Sequence, residues 1–144
     1  MNYLLDTNVV SELRKAAAGK AHRSVTAWAG SVPAVSLHIS AITVLELEIG
    51  VLRLERRDPA QGLILRTWLN AHVLPAFAGR VLTIDTRVAI QCAALHVPDR
   101  LSERDALIAA TALVHGMTVV TRNKADFQAS GVDLLDPWVA SPSS

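Results

Sequence analysis

MNYLLDTNVVSEL (residues 1–13) sets three apolar residues, Tyr3-Leu4-Leu5, directly against an acid, a hydroxyl and an amide, Asp6-Thr7-Asn8. Tyr3–Leu5 reads as a short buried strand. From Asn8 to Lys15 the spacing turns helical, with Val9, Val10 and Leu13 on one side. The opening is therefore strand, polar triplet, helix. Asp6 at that junction is either the helix N-cap or the first ligand of a metal site at a strand end. The rest of the chain has to separate the two.

Beyond the small, basic stretch Ala16–Lys20, His22 to Ala29 forms a second helix that Pro33 breaks. Val35–Ile39 alternates as a strand should. Ser40 is a good N-cap for Ala41–Arg53, where Ile42, Leu45, Ile49 and Leu52 make an apolar stripe. Asp58-Pro59 starts another helix, through Trp68 and Leu69, which Pro75 ends or kinks. Val81–Ile84 is a third strand. Asp85 or Thr86 caps a helix from Val88 to about Leu95. Ser102 caps Glu103–His115, and Gly116 closes it. Met117–Val120 is a fourth strand, followed by a polar loop or short helix, Thr121–Phe127. Val132–Leu135 is a short fifth. Residues 1–138 form one domain and 139–144 a loose tail. Short apolar strands alternating with helices predict an α/β fold with a mainly parallel sheet covered on both faces. Functional residues then gather outside the carboxyl ends of the strands.

A chain of 144 residues, 51% hydrophobic and 19% charged, can bury a proper core and leaves apolar surface for a second chain. A net charge of +1 sets up no strong global field for nucleic acid. A nucleic-acid partner would be held by local patches or through metal ions. The single cysteine, Cys92, excludes an internal disulfide and fits a reducing cytosol. No apolar run reaches membrane-span length, and the N-terminus lacks a signal peptide's basic start. A cytoplasmic location is the expectation.

Several acids follow the predicted strands or sit on otherwise apolar helices. Asp6 follows the first strand, Asp85 the third, Asn123 and Asp126 the fourth. Glu46 projects about 40° from Ile42 and about 60° from Ile49, at the edge of the stripe. It is either a rim carboxylate reaching water or a group that needs a partner or metal. Glu48 points towards solvent. Asp105 stands three residues after Ser102, at capping-box spacing, and also shares a face with Ile108, Ala109 and Ala112. Asp126 in isolation is a solvated loop acid. Clustered carboxylates repel one another unless a cation neutralises them. Oxygen-only ligands suit Mg²⁺ or Mn²⁺. Zinc does not fit, because His22, His38, His72, His96 and His115 show no paired ligand spacing. No Gly-rich phosphate loop and no nucleophile motif is present.

LLDTNVVSEL, SAITVLELEIGVLRL, LPAFAGRVLTID and ERDALIAATALVHGMTVVTRNKADF, in this order and spacing, resemble the PIN-domain family. Within it the likeness is to VapC-type toxins of the FitB-like branch, over Met1 to about Trp138. The resemblance implies a three-layer α/β/α sandwich of about five strands and a metal-dependent endoribonuclease. It places the family's acids on Asp6, Glu46 and Asp105. The fourth position varies among relatives between Asn123 and Asp126, and we favour Asp126, with Asn123 as a polar helper. Thr7, Asn8 and Thr121 match positions that line or support the site. The implied cofactor is Mg²⁺, with Mn²⁺ as substitute, held by Asp6, Glu46, Asp105 and Asp126. It would activate water for in-line attack on RNA, leaving 5′-phosphate and 3′-hydroxyl ends.

Arg122, Lys124 and the Arg53, Arg56, Arg57 cluster are candidate RNA-phosphate contacts, or equally a solvated basic face. The resemblance further implies a cognate VapB-type antitoxin, a homodimer, and promoter DNA bound only through the antitoxin. Trp28, Trp68 and Trp138 suit such interfaces or the core. Two other classes compete. One is a non-catalytic PIN scaffold that regulates through a DNA-binding partner. The other is an aspartate-nucleophile phosphatase, which would want an Asp where Asn8 stands.

Overall fold

The computed structural model describes residues 1–139, so most of the expected tail, 140–144, lies outside the described residues. β1 (Tyr3–Leu5) pairs in parallel with both β2 (Leu37–Ser40) and β4 (Thr118–Val120). β3 (Val81–Leu82) adds to β2, and β5 (Leu134–Leu135) adds to β4, both parallel. The order is β3-β2-β1-β4-β5. The chain therefore winds one way from β1 to β3 and the other way from β4 to β5. The switch falls between β1 and β4, where a crevice opens at the strands' carboxyl ends.

Strand periodicity divides the core into two layers. Leu4 and Val119 face α7 (Glu103–His115), packing with Ile108, Ala109, Ala112 and Phe127. Leu5 and Val120 face the opposite layer, among Val9 and Val10 of α1 (Thr7–Leu13) and Leu47 and Val51 of α3 (Ala41–Arg57). Leu4 and Leu5 are fully buried, which stabilises the fold by about 1.5–3 kcal/mol each. Trp28 of α2 (Arg23–Ser31) meets Tyr3 edge to face at 5.2 Å. Trp28, Trp68 and Trp138 are all half-buried against this second layer. On the first side, α6 (Thr86–Leu95) backs α7 through Val88, Cys92, Ala106 and Ala110. The fold is thus the expected α/β/α sandwich.

Local chemistry explains the boundaries. Ser40 caps α3 by accepting from Thr43 N–H at 3.2 Å. Asp58 caps α4 (Pro59–Trp68), which begins on Pro59. α4 continues through a π-helical stretch, Leu69–Val73, into α5 (Leu74–Ala76). Pro75, which lacks an N–H to donate, lies just past that widened turn. Asp85 caps α6, accepting from Val88 N–H at 3.0 Å, so this acid serves the helix. Gly116 ends α7 at a φ of 66°, where a side chain would be strained.

Four expectations change. Val35 is 72% exposed in a 3₁₀ turn, Ala34–Ser36, and β2 starts only at Leu37. The core stripe of α3 is Ile42, Thr43, Leu47 and Val51; Leu45 and Leu52, 45% and 54% exposed, lie on the outer side. Glu48 joins an ion-pair bridge, in which Arg66 of α4 contacts Glu48 at 2.7 Å and Glu55 at 3.2 Å. Ser102 stands at the N-cap of α7 without a capping side-chain hydrogen bond.

Candidate active site

β1 ends on Leu5, and Asp6 is the next residue, with its N–H donating to Val120 O at 2.9 Å. That bond fixes the acid at the switch point between β1 and β4. Asp6 is only 7% exposed. Its Oδ1 accepts from Thr7 N–H at 2.8 Å, so it does cap α1. Its Oδ2 accepts from the Thr121 hydroxyl at 2.8 Å and from Asn8 Nδ2 at 3.3 Å. Thr121 directly follows β4, so the two central strands are joined through one carboxylate.

Thr7 carries the network to the next helix. Its hydroxyl lies 2.7 Å from Glu46 Oε1, which accepts, and 3.3 Å from the Thr43 hydroxyl. The capped start of α3 therefore sets Glu46 facing α1. Arg104 of α7 reaches to 3.7 Å from Glu46 Oε2. Asp105, in the first turn of α7, enters from the third side. α7 leads into β4 and so begins at the sheet's carboxyl edge. Asp6, Glu46 and Asp105 line one open cleft of about 480 Å³ with Thr7, Asn8 and Asn123.

Charge is concentrated there. Burial pushes the Asp6 carboxyl above its usual range against its hydrogen bonds to Thr121 and Thr7, and Glu46 and Asp126 push it further. Asp105 is also raised, by burial first and then by Asp6, Asp126 and Glu46, with a small offset from Ser102. The cleft is thus an acidic centre that resists holding its full negative charge unaided.

Asp126 differs from the other three. It is exposed in a short 3₁₀ turn, Lys124–Asp126, and reaches the centre through its charge, outside the cleft lining. Asn123 lines the cleft, and its N–H donates to the Thr121 hydroxyl at 3.0 Å. Arg122 lines it as well, and its N–H donates to Asn8 Oδ1 at 3.3 Å. Lys124 is exposed beside them and does not line the cleft. Arg53, Arg56 and Arg57 of α3 are exposed and outside it too.

Sequence reasoning missed Ser11 and Glu12 of α1 and Lys15 of the 3₁₀ stretch that continues it, Arg14–Ala18, which line one wall of the cleft. Their spacing from Asn8, at i+3, i+4 and i+7, puts all four on one helical face and could have found them. It also missed Thr43 and Arg104, for which no local pattern exists, and it read Trp138 as an interface or core residue without placing it at the cleft.

A parallel sheet with helices on both faces, and acids collected at its switch point, defines an α/β protein with a strand-end acidic cleft. Residues 3–130 match the PIN domain family, and the chain belongs to it. It is similar to the VapC ribonuclease Y4jK of Sinorhizobium fredii, 40% identical over 94% of this chain and 96% of that one. It is similar to the toxin FitB of Neisseria gonorrhoeae, 37% identical over 94% and 97%. Among solved structures it resembles FitAB bound to an IR36 DNA fragment, 34% identical over 99% of both chains with a TM-score of 0.87.

Proposed function

We propose that this chain is the toxin of a toxin–antitoxin pair, a Mg²⁺- or Mn²⁺-dependent endoribonuclease acting in the cytoplasm. The observation that carries this reading is the convergence of Asp6, Glu46 and Asp105 on one cleft, with Asp6 and Asp105 both raised by burial and by neighbouring carboxylates. Such a centre favours a cation. Its donors are all oxygen, which suits Mg²⁺ or Mn²⁺. Among the described residues no three His, Cys, Asp or Glu side chains already stand at metal-ligating spacing. A hard ion here would take some of the three carboxylates directly and reach the others through its waters.

Asp6, Glu46 and Asp105 would hold the ion, and Asp126 would add charge from the rim. The ion supplies charge neutralisation at the phosphodiester and an acidified water. The chain's own residues do the positioning. Thr121 and Asn8 hold Asp6, Thr7 holds Glu46, and the α7 backbone holds Asp105. Arg122 stands at the cleft for the RNA, with Lys124 close by in the chain.

Names of relatives support the biology: one similar chain is a VapC ribonuclease and another a FitB toxin. FitAB bound to DNA supports a cognate antitoxin that carries promoter binding. The exposed Leu45, Leu52, Leu63 and Ile64 of α3 and α4 offer apolar surface for the antitoxin or for a homodimer.

The test is purified chain incubated with total RNA, with 5′ ends mapped, in Mg²⁺ and in EDTA. Cleavage in Mg²⁺ that vanishes in EDTA and in Asp6→Asn and Asp105→Asn is expected. A parallel Mn²⁺ titration by calorimetry reads the site without turnover. Cleavage that survives both variants would place the chemistry elsewhere. Absence of Mn²⁺ binding together with absence of cleavage would favour a non-catalytic scaffold.

A further inference from the structure

The lining of the cleft carries a pair that the acidic centre does not use. The Arg122 guanidinium lies over the Trp138 ring, 5.3 Å from its centroid, and both residues line the cleft. Neither is loosely placed. Arg122 follows Thr121, and its backbone N–H is tied to Asn8 Oδ1 at 3.3 Å. Trp138 follows β5, which is tied to β4 by Thr121 N–H donating to Leu135 O at 3.0 Å. An Asx turn then aims Trp138, its N–H donating to Asp136 Oδ1 at 2.9 Å, around the buried Pro137. The ring is half-buried against the second core layer, while Arg122 is exposed. The guanidinium thus sits against an indole and does not stand alone in solvent. A guanidinium backed by an aromatic ring presents a planar cationic face.

We propose that Arg122 and Trp138 form a nucleobase-stacking subsite beside the acidic centre. The inference rests on the nuclease reading of the cleft and adds to it a contact to the base. Unpaired bases stack on arginine planes and aromatic rings, whereas bases inside a duplex cannot reach such a wall. Arg122 then reads the base that flanks the scissile phosphate, in addition to carrying charge.

The test is fluorescence anisotropy with a short single-stranded RNA of mixed sequence and its abasic counterpart. The chain carries Asp6→Asn to suppress cleavage. The parent should bind the base-containing strand more tightly than the abasic one. Trp138→Ala and Arg122→Lys should each weaken the base-containing strand on the order of tenfold and leave the abasic strand nearly unchanged. Trp138→Phe should restore most of the difference, and Arg122→Lys keeps the charge without disturbing the ring. If both variants weaken the two strands equally, Arg122 is a phosphate contact only and the proposal is overturned. If the variants lose antitoxin affinity while base discrimination stays intact, the wall belongs to the antitoxin, which also overturns it. If the parent chain binds neither strand, the RNA reading of the cleft itself fails, and the stacking subsite with it.

Discussion

The Thr7 hydroxyl donates to Glu46 Oε1 at 2.7 Å and joins α1 to α3 across the mouth of the cleft. Thr7→Val keeps the shape and removes the bond. Supporting contacts of this kind typically govern metal affinity or activity by about 10–100-fold. We expect a loss of RNA cleavage and of Mn²⁺ affinity in that range. The stability cost should be only about 0.5–1.5 kcal/mol. Calorimetric Mn²⁺ binding alongside a urea melt separates the two effects, and an unchanged Mn²⁺ affinity would remove Thr7 from the site.

The raised carboxyls of Asp6 and Asp105 give a signed pH dependence. Each titrates higher in the folded chain than in the unfolded one. Between those two values the folded state holds more protons, so stability falls as pH rises through the raised value. A divalent cation should relieve this repulsion once the groups ionise. Mn²⁺ should therefore raise Tm more at a pH above the raised values than at one below them. Asp105→Asn should flatten that difference. Equal shifts at both pH values would mean that the ion binds elsewhere. Glu12, held low by His22 N–H and Lys15, works in the opposite sense at lower pH, which is why the variant comparison is needed.

Gly62 is where α4 touches α3. A Cβ there would stand 2.4 Å from Glu55 Cα and 2.7 Å from Glu55 N, so α4 would have to move. Overpacking costs about 1–3 kcal/mol and more against backbone. Alanine's helix propensity returns only about 1 kcal/mol. Gly62→Ala should therefore lower the urea midpoint. Gly50→Ala, which meets nothing within 4 Å, should leave it unchanged or raise it.

Asp126 and Asp105 should separate in experiment. Asp105 lines the cleft, whereas Asp126 stands on its exposed rim. Asp105→Asn should abolish cleavage and weaken Mn²⁺ at least tenfold, as loss of a ligand would. Asp126→Asn should weaken Mn²⁺ only a few-fold, with an effect that fades in salt, since an exposed charge is screened. Equal losses would make Asp126 a ligand in its own right.

Much of this was legible in the residues, for local reasons. β1, the Ser40 cap, the Asp58-Pro59 start and the Gly116 stop are each decided within a few residues, and they set the sheet and helix count. Asp6 and Asp105 were legible as acids at element boundaries, where capping is the local reading, and only the resemblance to a family gathered them into one site. The face of α3 was not. It is apolar around much of its circumference, so Ile42-Leu45-Ile49-Leu52 and Ile42-Leu47-Val51 compete. Only packing against the sheet buries the second set and turns Leu45 and Leu52 outward. Val35 misled because alternation ignores the 3₁₀ turn that Pro33 sets up, with Ser36 N–H donating to Pro33 O at 3.0 Å. The contact of Arg104 with Glu46 and the place of Trp138 at the cleft were not legible, because each depends on elements distant in the chain.

The first strand made is the middle strand of the sheet. Asp6 takes its position by bonding to Val120, and Asp105 arrives only with α7. During synthesis, a chain that has left the ribosome as far as α6 possesses Asp6 and Glu46 but neither the neighbour strand nor the third acid. The order of the strands therefore delays assembly of the acidic cleft until α7 and β4 have both emerged. A copy that stops short of α7 lacks the third acid of the cleft, and the cleft is whole only after β4 has been made.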